Sequence, residues 1–320
     1  MTFGSDMAER PAGAGGSAVD VLTLDDGAQL SRPEARRDAL AALEGGGVVC
    51  LPTTGFELLA SERALLSDLR NIVANPPESA NGRPTIIFDP VRRRITKLNY
   101  AFSGWRLTRA EVRRAVRPDL EAMMMRFGTW ADALIACLLP RYVSVLDRDR
   151  VTYRPNQRSD VQPLHVDSAY GYPTQGRGML RVFCNVDPLN RPRVWQLGEP
   201  FEGFARRFLP AVRLRRAGPT ASLLARLGLV GGATTGYDRM IAELRRLVKR
   251  DATYQRTAPR RVVEFPSGST WIAITDLVLH GAVAGQHSLD QTFFLPPAGM
   301  HDPSRSSLRI LERLSGQRLV

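Results

Sequence analysis

The rhythm of apolar and polar positions changes near Asp147. Upstream of it, apolar residues recur every third or fourth position in runs long enough for helices; downstream they alternate or bunch in short, branched and aromatic stretches. Ser31, Pro33 and Glu34 have capping-box spacing for a helix reaching about Leu43, which Gly45-Gly46-Gly47 stops. VVCLP (48–52) then reads as a strand. A second helix is predicted from Phe56 to Val73, a strand at TIIFD (85–89), and the longest helical pattern from Asp119 to Leu139, ended by Pro140. Beyond Asp147, the segments RVTYRPN, QPLHVD, GMLRVFCNV, RVWQLG, RVVEFP, STWIAIT and QTFFLP read as strands separated by Pro and Gly. Many short strands of this kind predict a mainly β protein. The expected fold is a double-stranded β-helix, a jelly-roll or cupin-like barrel, with N-terminal flanking helices and a helical insertion between strands.

The chain divides accordingly. Residues 1–17, rich in Gly and Ala, lack the large apolar groups that pack and are predicted to be a disordered N-terminus. Residues 18–320 form one domain: an α/β flanking part, 18–146, and a barrel core, 147–320, interrupted by a helical insertion at 204–258. Within the insertion, Met240, Ile241, Leu244, Leu247 and Val248 share one helical face, and Arg239, Arg245, Arg246, Lys249 and Arg250 occupy the rest. This helix either roofs a site, packs on the barrel with a solvated basic face, or touches a membrane surface.

Composition narrows the class. With 43% hydrophobic and 24% charged residues in 320, the chain can bury a full core. No apolar run approaches the roughly 18 residues of a membrane span, and the N-terminus lacks the basic-then-apolar order of a signal peptide, so a cytoplasmic protein is expected. Cys50, Cys137 and Cys184 lie in apolar contexts without a partner at metal-ligand spacing and read as buried free thiols. A net charge of +12 points to an acidic partner. The chain has no Walker A motif, dinucleotide-binding glycine pattern or GxSxG elbow, and no nucleic-acid-reading motif.

Candidate chemistry concentrates at His165-Val166-Asp167, answered downstream by His280. Alternate residues of an extended strand point the same way, so His165 and Asp167 can share one metal. Two imidazoles and a carboxylate on one face of a ferrous ion leave three positions open for chemistry. His287 and His301 stand in polar, turn-like contexts and rank below His280. A cosubstrate chelating such a centre as a 2-oxo acid needs a cation for its far carboxylate. The stretch 281–304 contains no Lys or Arg, and Arg181, in mid-strand, is the foremost candidate. Asn185, on the same strand face, and Gln291, on the strand after His280, are further candidates for cosubstrate contacts. Arg154, Tyr170, Arg177 and Arg193 are candidates for substrate recognition at the mouth.

The run LHVDSAYGYPTQGRGMLRVFCNVDPLNRPRVWQLGEPFE resembles the core of the Kdo 3-hydroxylases, and YDRMIAELRRLVKRDATYQ, FPSGSTWIAITDLVLHGAVAGQHSLDQTFFLP and SSLRILERLSGQRLV resemble its later blocks. The resemblance covers residues 150–203 and 237–320, and is looser before them. It implies an Fe(II)-, 2-oxoglutarate- and O2-dependent dioxygenase of lipopolysaccharide biosynthesis in Gram-negative bacteria, assayed in vitro with ascorbate as reductant. The implied reaction is hydroxylation of 3-deoxy-D-manno-oct-2-ulosonic acid (Kdo) at carbon 3 on a Kdo-bearing lipid A precursor, giving Ko. The resemblance also implies that His165, Asp167 and His280 hold the iron and that Arg181 anchors 2-oxoglutarate. The expected partners are that lipid and, peripherally, the anionic cytoplasmic face of the inner membrane, with no nucleic acid and no obligate protein partner. The runner-up is a 2-oxoglutarate oxygenase acting on another small molecule or a peptide.

Overall fold

The computed structural model describes residues 18–25, 27–73, 85–99, 109–155, 161–168, 173–213 and 234–320. The predicted disorder of 1–17, the candidate Tyr170 and the middle of the insertion lie outside the described residues.

Two sheets make the frame. The larger runs in the order β1 (Val21–Thr23), β2 (Val48–Leu51), β9 (Thr270–Ile274), β6 (Gly178–Asn185), β11 (Ser288–Leu295), β5 (Asp147–Arg154), β3 (Thr85–Asp89) and β4 (Arg94–Asn99). The smaller runs β10 (Val278–Ala284), β7 (Arg193–Pro200) and β8 (Arg261–Phe265). Its strands, and most of the larger sheet, pair antiparallel; β1 and β2 pair parallel. The period-two alternation of β6 explains how the two sheets enclose a core. Phe183 packs inward with Trp195, Phe265 and Trp271, whereas Leu180, Val182 and Cys184 face the helices. Rings stack tightly in the interior: Phe265 on Trp271 at 4.2 Å and Phe183 on Trp271 at 5.3 Å.

Helices cover the outer faces. In α1 (Pro33–Glu44), Ala35, Ala39 and Leu43 are buried. α2 (Ala60–Val73) packs with α3 (Arg109–Leu138), and Leu120, Met123, Met124 and Phe127 of α3 pack on Val151, Tyr153 and Leu289 of the sheet. The insertion leaves β7 through α4 (Phe201–Phe208) and returns through α5 (Gly236–Arg250) and α6 (Ala252–Thr257). α7 (Ser307–Ser315) closes the chain against α4.

Several boundaries differ from the pattern reading for local reasons. Ser31 does not cap α1: Arg32 holds the cap position, without a side-chain bond, before Pro33. α2 starts at Ala60 rather than Phe56, because the Glu62 carboxylate accepts from Leu59 N (2.8 Å) at its first turn and Phe56 N instead donates to Cys184 Sγ (3.3 Å). α3 starts ten residues before Asp119 and carries Pro118 inside it, since the buried stripe that follows outweighs one lost backbone bond. The insertion begins at Phe201, directly after β7. QPLHVD is not a ladder strand but joins β10 through the single bridge His165–His280. Cys50 and Cys184 are buried free thiols, each pushed up to about 11, chiefly by burial, and Cys137 is half-buried.

Candidate metal centre

His165 and His280 face each other because their backbones form an antiparallel hydrogen-bonded pair: His165 N donates to His280 O (3.0 Å) and His280 N to His165 O (2.9 Å). Such a pair puts both side chains on one face of the sheet, and the rings lie 4.8 Å apart. Gly281 permits the approach, since a Cβ there would stand 2.3 Å from the carbonyl oxygen of Gln162. Asp167, two residues beyond His165, returns to the same face and is pinned by Asp167 N donating to Thr275 O (2.9 Å).

Hydrogen bonds also select the ring tautomers. His165 Nδ1 meets Pro163 O at 2.8 Å and His280 Nδ1 meets Val278 O at 3.1 Å, so each Nδ1 carries the proton and each Nε2 presents its lone pair. Asp167 Oδ1 lies 3.8 Å from His165 Nε2, and Oδ2 lies 3.8 Å from His280 Nε2. The three donors fall within 4.8 Å of one another, all buried. Burial drives His165 well below the ordinary histidine range, aided by His280, and burial likewise lowers His280. Burial opposes the charge of Asp167, but Arg181 foremost, then His280 and Arg245, outweigh it and hold its carboxyl well below the usual range. Two neutral imidazoles and one anionic carboxylate, with lone pairs converging away from water, suit a divalent transition ion. Gln162 Nε2, 3.1 Å from His165 Nε2, must turn aside for such an ion.

The chain of charge continues behind Asp167. Arg181 Nη1 donates to Asp167 Oδ2 (2.7 Å), its Nη2 meets Asp290 Oδ1, and Arg154 Nε donates to Asp290 Oδ2 (3.1 Å). Arg181 also lies 4.7 Å over the Phe183 ring, and the Trp195 indole stacks on His280 at 5.0 Å and 18°. From the insertion, Arg245 of α5 reaches the same segment, its Nη1 donating to Ser168 O (3.2 Å).

The structure thus gathers the triad, Arg181 and Arg154, and gives Gln291, Asn185, Arg193 and Arg177 other contacts. Gln291 points to the opposite face, where its amide donates to Asp149 O (2.9 Å) and Thr292 O (2.7 Å) and accepts from Arg148 (3.4 Å), which corrects its assignment to the cosubstrate. Asn185 spends its side chain on Arg191 O (2.8 Å), Phe265 O (3.0 Å) and Asp187 N (3.1 Å), so it shapes a turn. Arg193 is buried and donates to Gly285 O (2.7 Å), and Arg177 bonds Asp147 (2.7 Å) and Thr174 O (3.0 Å) beside the Phe294 ring. Neither approaches the triad through any of these contacts. His287 is buried rather than exposed, bonded to the Tyr153 hydroxyl (2.7 Å), and His301 is exposed. Asp290, Trp195, Gln162 and Arg245 are the site residues that the sequence reading missed. The signal for Asp290 was the alternation of polar Ser288 and Asp290 with Leu289 and Phe293; nothing in sequence aims Arg245.

A family model described as 3-deoxy-D-manno-oct-2-ulosonic acid (Kdo) hydroxylase matches residues 26–318. This chain belongs to the Kdo hydroxylase family. With the family comes the enzyme class, a non-heme Fe(II), 2-oxoglutarate-dependent dioxygenase. Among solved structures the chain is similar to the Kdo hydroxylase KdoO in complex with succinate and Fe(III), at 30% identity over 94% of this chain and 97% of that one, with a TM-score of 0.77. The complex of KdoO with cobalt(II) gives the same identity and coverage at a TM-score of 0.76, and the apo structure gives 0.77. A comparison with curated proteins finds no match. The jelly-roll expectation holds, with the two sheets described above as its halves.

Proposed function

We propose that this Kdo hydroxylase family member hydroxylates Kdo at carbon 3 on a Kdo-bearing lipid A precursor, giving Ko, with Fe(II), 2-oxoglutarate and O2. The observation that carries the reading is the convergence of His165, Asp167 and His280 within 4.8 Å in a chain matched by the family model along nearly its whole length. The balanced reaction consumes one O2 and one 2-oxoglutarate: one oxygen atom enters the carbon–hydrogen bond as a hydroxyl, the other enters succinate, and CO2 leaves. Bound iron supplies the redox chemistry that couples these two oxidations.

The residues of the chain hold, orient and exclude water. His165 and His280 offer neutral Nε2 atoms, their rings fixed by Nδ1–H bonds to the backbone, and Asp167 offers a carboxylate fixed by Arg181. Trp195 closes the side of His280. Arg181 already serves two carboxylates, so we assign the far carboxylate of 2-oxoglutarate to Arg154. Asp290 meets Arg154 through Nε, and the side chain is 28% exposed, so its remaining edge is accessible to an arriving anion. A lipid-anchored, anionic substrate further supports work at the cytoplasmic face of the inner membrane, consistent with the net charge of +12.

The test is mass spectrometry of Kdo-lipid A incubated in air with the protein, Fe(II), ascorbate and 2-oxoglutarate, beside His165→Ala. A gain of one oxygen on the Kdo portion, absent with His165→Ala, is expected. Succinate without that gain would transfer the enzyme to another substrate.

A further inference from the structure

We propose that Gln162 donates its side-chain amide to the metal-bound carboxylate oxygen of the 2-oxo acid cosubstrate, fixing the chelating end beside His165. The inference needs only the 2-oxoglutarate-dependent class that family membership carries, so it stands whichever sugar carbon is oxidised. It concerns the end of the cosubstrate opposite to the one assigned to Arg154. A 2-oxo acid chelating an ion brings one anionic oxygen to it. An N–H aimed at such an oxygen makes a charge-assisted hydrogen bond, stronger than one to a neutral keto oxygen.

The direction of the amide is settled by its neighbours. Ala282 N, on β10, donates to Gln162 Oε1 (3.2 Å), and Gln162 N donates to Ala282 O (2.9 Å). Turned the other way, the amide would set its NH2 against the Ala282 N–H, two donors together, so the oxygen stays with Ala282 and the nitrogen faces the site. There Gln162 Nε2 stands 3.1 Å from His165 Nε2, which carries the lone pair because His165 Nδ1 bonds Pro163 O. An ion on that lone pair takes away the acceptor and leaves the donor beside the ion's other ligands. With its oxygen committed to Ala282, the amide meets an arriving anionic ligand as a donor and does not itself ligate the ion.

The segment that carries Gln162 is held firmly enough to fix a donor. Gln196 of β7, buried, donates through Nε2 to Gln162 O (2.6 Å), and its Oε1 accepts from Arg260 Nη1 (3.1 Å). Gln196 lies opposite Gly281 in the β7–β10 pairing and reaches past it, since a Cβ at Gly281 would stand 3.0 Å from Gln196 Nε2 and 2.3 Å from Gln162 O. From α6, the Gln255 amide accepts from Leu164 N (2.9 Å) and donates to Leu164 O (3.0 Å), clamping the residue before His165. Residues 162–165 are thus fastened on both edges although they form no ladder strand, and a donor held in place loses little freedom when its acceptor arrives. Gln162 adjoins His165, whereas Arg154 is linked to Asp167 through Asp290 and Arg181, so the two donors belong to different ligands of the triad and do not compete for one end of the cosubstrate.

Binding without turnover provides the test. Full-length protein, loaded anaerobically with Fe(II), is titrated with 2-oxoglutarate and with 2-oxobutyrate, which keeps the chelating end and lacks the far carboxylate. Affinity and the visible charge-transfer band from Fe(II) to the bound 2-oxo acid are read for the wild type, Gln162→Leu and Gln162→Glu. The Glu variant keeps an acceptor for Ala282 N and decides the matter if Gln162→Leu fails to fold. Both variants should bind each acid roughly 10- to 100-fold more weakly than the wild type. The band of Gln162→Leu should also move to shorter wavelength, because no donor then stabilises the charge that the chelate accepts. Unchanged affinity and band in folded, Fe(II)-loaded variants overturn the assignment. Weaker Fe(II) binding, with the loaded protein's affinity for both acids intact, makes Gln162 a support of His165 alone and overturns it. A loss confined to 2-oxoglutarate moves the contact to the far carboxylate, which also overturns it.

Discussion

Arg181 sits between Asp167 and Asp290 with little exposure, so its guanidinium is spent on holding the Asp167 carboxylate in one orientation. Replacing it by Ala leaves two buried carboxylates facing each other; stability should fall by about 3–5 kcal/mol and Fe(II) affinity with it, measured by thermal unfolding and metal titration. Arg154→Ala should instead leave Fe(II) affinity unchanged and raise the 2-oxoglutarate concentration for half-saturation by roughly tenfold or more, which a titration of 2-oxoglutarate into Fe(II)-loaded protein measures. If Arg181→Ala alone moved the 2-oxoglutarate requirement, the two roles would be exchanged. The convergence of His165, Asp167 and His280 was legible in sequence because it is mostly local: two-residue spacing in an extended segment puts His165 and Asp167 on one face, and only His280 needs a distant pairing. Asp290 and Gln291 illustrate the opposite. One residue decides which face of β11 a side chain takes, and the pairing Thr152–Asp290 that settles it depends on the register between β5 and β11. Arg245 depends on the docking of a whole helix, for which its own sequence holds only an apolar stripe.

At the scale of elements, the insertion is a structural part of the site. Tyr237, Met240, Ile241, Leu244 and Val248 of α5 are buried in the main core, so the amphipathic face that sequence offers equally to a roof, a barrel or a membrane belongs to the protein interior. Asp238→Ala keeps the Thr235 cap but removes the carboxylate half of the α5 capping box and the acceptor for Thr174 N and Gln175 N. It should cost about 1–2 kcal/mol in thermal unfolding and weaken substrate binding before 2-oxoglutarate binding. A second junction carries a pH signature. Glu202 of α4 accepts from Arg313 of α7 through both oxygens (3.0 Å each) and from Arg206 (2.7 Å), and these hydrogen bonds, against some desolvation, bring its carboxyl down to about 2 from an ordinary 4.5. A folded value below the unfolded one gives stability that is fully present above pH 4.5 and is lost as pH falls toward 2. At 37% exposure the junction contributes under about 1 kcal/mol. Wild type should therefore lose slightly more melting temperature than Glu202→Gln between pH 5 and 2.5, and parallel curves would remove the junction from the acid response.

At the scale of the molecule, charge and apolar surface give different forecasts for the membrane. No helix among the described residues is long and apolar enough to cross a bilayer, and α5 buries its apolar face. What remains for a lipid surface is the excess of 44 Lys and Arg over 32 Asp and Glu, an attraction that reaches about one Debye length and fades with salt. The lipid-anchored substrate we propose makes that attraction useful, because it concentrates enzyme on the leaflet that carries the Kdo group. The protein should therefore sediment with vesicles of phosphatidylethanolamine containing about one-third phosphatidylglycerol at low salt, and detach near 0.5 M salt, where the Debye length is only about 4 Å. Retention at high salt would mean apolar insertion by a segment other than the α5 face. Absence of binding at low salt would leave the basic excess without a membrane role, and the substrate would have to be drawn from the bilayer by the site alone.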